Sequence, residues 1–543
     1  MENLLDGWGI TLATFSPLVG AAVMMLIPRE REDRHKMVAL VTSLWVAFVG
    51  VLLLLWFDLD HTDRLQFAVD RVWIDVISSH YSVGIDGMSL PLILLTMLVV
   101  PACIVYSWNH FPEPTNPKAF LILILILETG MIGTFVAQDL VLFFVFFEVV
   151  LLPMFFMIAV WGGEDRRYAS LKFFLFTLFG SALMLVSFLA LFFLTGADTF
   201  TFTGLADAVA HGGVSRTAQL WIFGGMFLGF GIKVPMFPFH TWLPDAHTQA
   251  PTVGSVILAA VLLKLGTYGF IRIAIPILPE AAVAWAPWIG LLAVVGIIYG
   301  ALGCLAQTDM KRLIAFSSVA HMGFVMLGIA TLTDFGINAA IMGMVAHGLI
   351  TGMLFFLAGS VKERYHTLEI SRLGGLLVQA PRMGWIFGLC AMASLGLPGL
   401  AGFWGEFPAI LSAYNPANGV PVETFRTYMV VAALGTVLAA GYLLWLLQRA
   451  AFGAPPSEFA DDPNITDTTK HEWISWAPLL ALIVAIGIYP NLVFRVTDGA
   501  VDASLTPCLT VEAGEEAEAL GCGEAYGFDD HGSEADDEHA AGN

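Results

Sequence analysis

The stretch LVLFFVFFEVVLLPMFFMIAVW, residues 140–161, decides the fold. It is long enough to cross the roughly 30 Å of hydrocarbon in a bilayer. Its single charge, Glu148, stands near its centre. The same pattern recurs at Lys233 in FGGMFLGFGIKVPMFPFH (223–240), Lys264 in VGSVILAAVLLKLGTYGF (253–270) and Glu406 in ASLGLPGLAGFWGEF (393–407). A charge at bilayer depth costs about 2.5 kcal/mol or more, so it is retained beside a partner, a water cavity or a task. Two acids and two bases at such depth read as a path for protons or ions.

The rest of the chain fits a membrane protein. Of its 543 residues, 57% are hydrophobic and 13% charged, and the mean hydropathy is +0.78. That composition excludes a soluble domain of useful size. Apolar spans are predicted at 9–28, 36–57, 85–107, 118–136, 138–160, 170–195, 219–241, 251–275, 283–305, 311–330, 336–360, 381–411, 425–447 and 473–493. The expected fold is an all-α integral membrane protein with about fourteen transmembrane helices. The first span lacks a charged n-region and a cleavage site, so it reads as a retained helix. The longest polar segments are 58–84, 196–218, 361–380, 448–472 and a tail from about 494.

Lys and Arg orient the bundle. With both termini outside, sixteen of the 24 Lys and Arg fall on the inner side and six on the outer, with Lys233 and Lys264 in the membrane. The net charge of −21 is partly a tail effect, since residues 511–543 carry eleven Asp or Glu and no Lys or Arg. That run reads as disordered and solvated. It argues against nucleic acid as a partner. The five cysteines form no CxxC or other metal-ligand spacing, and no GxGxxG, P-loop or haem motif is present. No redox centre, nucleotide or metal site is expected in this chain.

Two spans carry helix breakers. Gly229 and Gly231 precede Lys233, and Pro235 and Pro238 follow it; Gly396, Pro398, Gly399 and Gly402 precede Glu406. Proline removes a helical hydrogen bond, and broken backbone at bilayer depth needs protein or water to satisfy it. Paired breaks in two halves point to a transport site. A weak internal repeat with an offset of 170 aligns Asp139 with Asp309 and Thr177 with His347. The expected organisation is 1–117 (first three helices), 118–280 (first repeat), 281–450 (second repeat), 451–505 (loop and last helix) and 506–543 (acidic tail).

Each candidate has a plain alternative. Glu148 with Lys233 is a proton-transfer pair or a structural ion pair, though desolvation makes a buried pair a poor stability device. Lys264 is a proton-carrying amine or a side chain snorkelling to the interface. Glu406 is a proton exit or a helix-end carboxylate. His321 (SSVAHMGF) and His347 (MVAHGLI) have small neighbours that leave room for water. Imidazole passes a proton through either nitrogen, and the alternative is a packing role. His240 and His247 flank TWLPDA with the two readings open. Glu128 and Lys172 are secondary candidates that can modulate Glu148. Asp86, Asp139 and Asp309 sit where helix caps are expected.

YSVGIDGMSLPLILLT (81–96), FFEVVLLPMFFMI (146–158), KVPMFPFHTWLPDAHTQAPTVGSVILAAVLLKLGTYG (233–269) and LPGLAGFWGEF (397–407) together resemble the antiporter-like membrane subunits of respiratory complex I. Within that family they look like the branch called subunit M in bacteria and chain 4 in mitochondria. The likeness spans roughly residues 80–450. It implies two inverted five-helix repeats and one proton pumped per subunit, driven by quinone reduction elsewhere in the NADH:quinone oxidoreductase. It implies an input pair at Glu148 and Lys233, a central Lys264, connecting His321 and His347, and an output Glu406. Flavin and iron–sulfur clusters would belong to partner subunits. The partners would be sister antiporter-like subunits and lipids, in a bacterial inner membrane. A multi-subunit sodium/proton antiporter, a membrane-bound hydrogenase and an inert membrane spacer are the competing readings.

The predicted topology places Cys508 and Cys522 outside, where disulfides persist. A bridge closing a loop of about 15 residues contributes roughly 3 kcal/mol in the chain-entropy model. The expected outcome is a Cys508–Cys522 disulfide, the alternative being two free thiols in a disordered tail. Mass spectrometry of non-reduced, alkylated protein checks it, and label on both thiols without prior reduction excludes it.

Overall fold

The computed structural model describes residues 5–108, 111–460, 462–463, 465–506, 509 and 526. Helices α1 (Gly7–Leu26) and α2 (Glu32–Trp56) lead into a hairpin of β1 (Gln66–Ile74) and β2 (Ser79–Ile85). Then come α3 (Leu90–Tyr106), α4 (Pro117–Val136), α5 (Leu140–Trp161), α6 (Arg166–Thr195), the short α7 (Phe202–Ala210), α8 (Arg216–Lys233) and α9 (Trp242–Gln249). The second half holds α10 (Thr252–Ile277), α11 (Pro279–Leu305), α12 (Met310–Ala330) and α13 (Asp334–Tyr365). It ends with α14 (Pro381–Ser394), α15 (Ala401–Ser412), α16 (Val422–Ala451), α17 (Lys470–Ile488) and α18 (Asn491–Ser504).

Among the described residues, eleven helices are long and apolar enough to cross a membrane. The other three expected spans are short or divided. α3 has 17 residues, α8 stops at Lys233, and the 381–411 span splits into α14 and α15. Length and composition thus give eleven spans where fourteen are expected. The all-α class holds, with the β1–β2 hairpin added inside the polar segment 58–84. The tail expected from 494 begins instead as α18, whose Thr497 hydroxyl donates to Asn338 of α13 at 2.6 Å. Cys508 and Cys522 lie outside the described residues; Cys103, Cys304 and Cys390 are free and buried.

The breaks follow the sequence. Proline at 235 and 238 ends α8 at Lys233, and the Trp242 indole N–H returns to the Ile232 carbonyl at 2.9 Å. Between α14 and α15, Gly396 and Gly399 adopt φ of +78° and +92°. Glu406 therefore sits inside the half-helix α15, not at the end of the broken span. A third irregularity is in α10, which contains π-helical turns at Leu258–Leu262 and, just ahead of Pro276, at Phe270–Ala274. Such turns insert a residue and re-aim the side chains after them.

The weak repeat has a structural counterpart. Asp139 caps α5 by accepting from the Val141 and Leu142 N–H groups, and Asp309 caps α12 by accepting from Arg312 N–H. Leu140 N–H donates to Phe200 C=O, as Met310 N–H does to Leu368 C=O; Phe202 N–H donates to Gln138 C=O, as Ile370 N–H does to Thr308 C=O. The two capped helix starts are thus built alike. Asp86 is the exception among the expected caps. It accepts from Met88 and Ser89 N–H and pairs with Arg272.

α10, α12 and α13 form the centre. Burial reaches 94% over the apolar windows of α10 and α12 and 100% in α13, against 33% in α2. The outer helices turn leucine, phenylalanine and tryptophan outward, as lipid-facing helices do. Close packing of α15 on α13 depends on Gly405, where an added Cβ would lie 2.4 Å from the Gly343 Cα. Overpacking of this kind costs about 1–3 kcal/mol. Gly405→Ala is expected to lower the thermal unfolding midpoint of the detergent-solubilised complex. Gly441→Ala, with nothing within 4 Å of the new carbon, serves as the unaffected comparison.

Candidate functional site: a buried line of amines, imidazoles and carboxylates

The second-half candidates meet in one connected group. The π turn before Lys264 leaves the Ala259 carbonyl free to accept from Lys264 Nζ at 2.5 Å. The same Nζ lies 2.7 Å from His347 Nδ1 on α13. An ammonium can only donate, so His347 Nδ1 accepts and its other nitrogen carries the hydrogen in the neutral ring. The His347 and His321 ring centroids are 5.9 Å apart, inclined at 61°.

His321, on α12, faces Glu406 with Nδ1 at 2.5 Å from Oε1. Its Nε2 meets the Ser394 hydroxyl at 3.1 Å and the Tyr442 hydroxyl at 3.2 Å. A carboxylate accepts, so Nδ1–H donates to it and the hydroxyls donate to Nε2. Once Nε2 is protonated, either hydroxyl can rotate to accept. A small cavity of about 20 Å³ lies between His321, His347, Thr351 and Glu406. That is room for about one water molecule. Lys264 is 0% exposed, and His321 and His347 are each 6% exposed.

The first-half candidates are more loosely joined. Glu148 is half-buried on α5, beside a turn at Val150, within electrostatic reach of Lys233 and near the Ser181 hydroxyl. The pair forms no hydrogen-bonded ion pair. Lys233 Nζ instead stands 4.8 Å over the Phe147 ring, a cation–π contact that offsets part of its desolvation. Gly266 brings α10 against Lys233, since a Cβ there would lie 3.1 Å from the Lys233 Cβ. Lys233 thus faces the helix that carries Lys264.

The secondary candidates divide. Lys172 pairs with Asp245 at 2.7 Å, so its partner is not Glu148. Glu128 is fully buried, and neither oxygen finds a hydrogen-bond partner among the described residues. His240 packs between Phe237 and Tyr299, with ring centroids at 5.7 and 4.9 Å. His247 stacks on Phe355 at 4.5 Å, within electrostatic reach of Lys264 and Lys311. Ser394, Tyr442, Asp245 and Lys311 escape sequence reasoning. The hydroxyls are common in helices, and the two charges lie near span ends, where charges are ordinary. Only the neighbours supplied by folding distinguish them.

The chain matches two family models. Residues 137–430 match the NADH:quinone oxidoreductase/Mrp antiporter transmembrane family, and residues 19–134 match the amino terminus of NADH-ubiquinone oxidoreductase chain 4. NADH-quinone oxidoreductase subunit M of Rhodobacter capsulatus is 42% identical over 504 residues, covering 91% of this chain and 94% of that one. A chain of respiratory complex I from Thermus thermophilus superposes with a TM-score of 0.80 at 30% identity, covering 91% of this chain and 98% of that one. A chain of the Mrp complex from Dietzia shares the fold, with a TM-score of 0.77 at 21% identity over 93% of this chain and 52% of its own. A multi-pass membrane bundle with buried titratable groups, matched along nine-tenths of its length, belongs to the antiporter-like membrane subunits of NADH-quinone oxidoreductase, on the subunit M/chain 4 branch.

Proposed function

We propose that this chain is a proton-translocating membrane subunit of an NADH:quinone oxidoreductase. It would itself carry no redox group. Quinone reduction in partner subunits, which would hold the flavin and iron–sulfur clusters, supplies the energy. The observation that carries this reading is the contact series Lys264–His347, His321–Glu406 around one small cavity. A structural ion pair has no use for two imidazoles and a water-sized space between an amine and a carboxylate.

In this reading the proton enters the first repeat, residues 118–280, at Glu148 and Lys233. It passes to Lys264 across the α8–α10 contact. Lys264 gives a proton to His347 Nδ1, and His347 releases one from its other nitrogen toward His321. His321 then passes one to Glu406 through Nδ1, with Ser394 and Tyr442 steadying the ring. Glu406, in the second repeat (281–450), delivers it to the far side. His240, His247, Glu128 and Lys172 take supporting roles. The chain sits in a bacterial inner membrane among sister antiporter-like subunits and lipids, with both termini on the outer face. The positive charge on the opposite loops supports that orientation. The 42% identity to a named subunit M favours this reading over a sodium/proton antiporter or a hydrogenase relative.

Two outcomes are expected in vesicles carrying the assembled complex. Glu148→Gln, Lys233→Met and Lys264→Met each reduce proton pumping and the coupled NADH oxidation by roughly tenfold or more, as loss of a proton-transfer group does. Normal pumping by assembled Glu148→Gln complex refutes the relay. Glu406→Asp and Glu406→Lys retain measurable quinone reductase turnover because a titratable group remains, whereas Glu406→Ala does not. Equal rates for the Ala and Asp variants assign Glu406 a structural role.

A further inference from the structure

A second large feature lies apart from the Glu148–Lys233 pair. A cavity of about 790 Å³ opens among the ends of α3, α5, α12 and α13. Its rim carries the exposed Glu113, Lys362 and His366. These helix ends lie on the face rich in Lys and Arg, which the charge bias assigns to the inner side. A polar cavity of this size, open at a charged rim, holds water.

Lys311 lines this cavity, yet it is only 5% exposed. Its Nζ donates to the Ala250 carbonyl. Ala250 follows α9 and Pro251 precedes α10, so this carbonyl belongs to the break in the backbone. One turn back on α9 is His247. It is 0% exposed, and both ring nitrogens lack a hydrogen-bond partner among the described residues. Desolvating an imidazole without a partner is costly, so packing alone is a poor reason for it. Lys311 and Lys264 both act on His247 at Coulombic range. Lys311 thus lines the cavity, and His247, one turn before the carbonyl that Lys311 holds, is within electrostatic reach of both Lys311 and Lys264.

We infer that Lys311 and His247 form a loading entrance for the relay from the inner aqueous face, separate from Glu148 and Lys233. This rests on the proposed relay through Lys264. Water in the cavity protonates the Lys311 amine. His247 takes that proton on one ring nitrogen and releases one from the other toward Lys264. No bond other than N–H and O–H forms or breaks, and each group returns to its starting state after one transfer.

The test uses the intact complex in sealed vesicles, with NADH oxidation and proton uptake as readouts. Lys311→Arg keeps the positive charge and a donor for the Ala250 carbonyl, but a guanidinium does not release its proton. The expected result is that Lys311→Arg and Lys311→Met both lose a share of proton pumping that Lys311→His retains. If Lys311→Arg pumps like the native complex, Lys311 is a structural anchor and the inference falls. Should the Lys311 variants fail to assemble, His247→Gln decides: it keeps hydrogen-bonding capacity but cannot relay, and native pumping overturns the inference. Lys264→Met is run alongside. If it too pumps normally, the relay itself is wrong; if it alone is impaired, only the entrance is.

Discussion

An ionisable group inside a bilayer must be paired, hydrated or neutral, and the arrangement of this bundle follows from that constraint. Lys264 is met by a carbonyl freed at a π turn and by His347. Glu406 is met by His321, brought close because Gly405 lets α15 lie on α13. Lys233 is met by the Phe147 ring and the field of Glu148. In each case the backbone irregularity and the charge occur together, because each supplies what the other lacks.

Buried charges elsewhere are satisfied differently. Arg364 binds both oxygens of Glu472 at 2.8 Å and also reaches the carbonyls of Ser360, Thr466 and Asp467. Arg272 reaches Asp86 and Gln138 and so ties α10 to the loop ahead of α3 and the start of α5. These guanidinium groups hold their partners and keep their protons. They lock helices together, α13 to α17 and α10 to its neighbours. The amines and imidazoles on the central line instead meet groups that can take up or give back a proton: Lys264 meets His347, and His321 meets Glu406. That contrast separates groups that hold the bundle from groups able to pass a proton through it.

The repeated motif adds a second constraint. Asp139 and Asp309 cap their helices with matching backbone bonds. A broken span with a buried charge follows each of them, at Lys233 and at Glu406. The central helices α10, α12 and α13, largely buried within the bundle, carry Lys264, His321 and His347.

The sequence by itself determined the class, most of the spans, the family and the identity of the main charges. Hydrophobic length and the cost of a buried charge are local properties, legible in any window of about twenty residues. It also located the broken spans at Lys233 and Glu406, where glycines and prolines cluster beside the charge. Only the tertiary structure decided the partners. His321 takes Glu406, Ser394 and Tyr442, which are distant in sequence; Lys172 takes Asp245, not Glu148; and Lys311 turns inward to the break at Ala250. The π turns of α10, the helix after residue 490 and the β1–β2 hairpin were likewise settled by packing. Hydrogen-bond partners and π turns depend on which neighbour satisfies a given carbonyl or side chain, and that is fixed only when helices far apart in the chain come into contact.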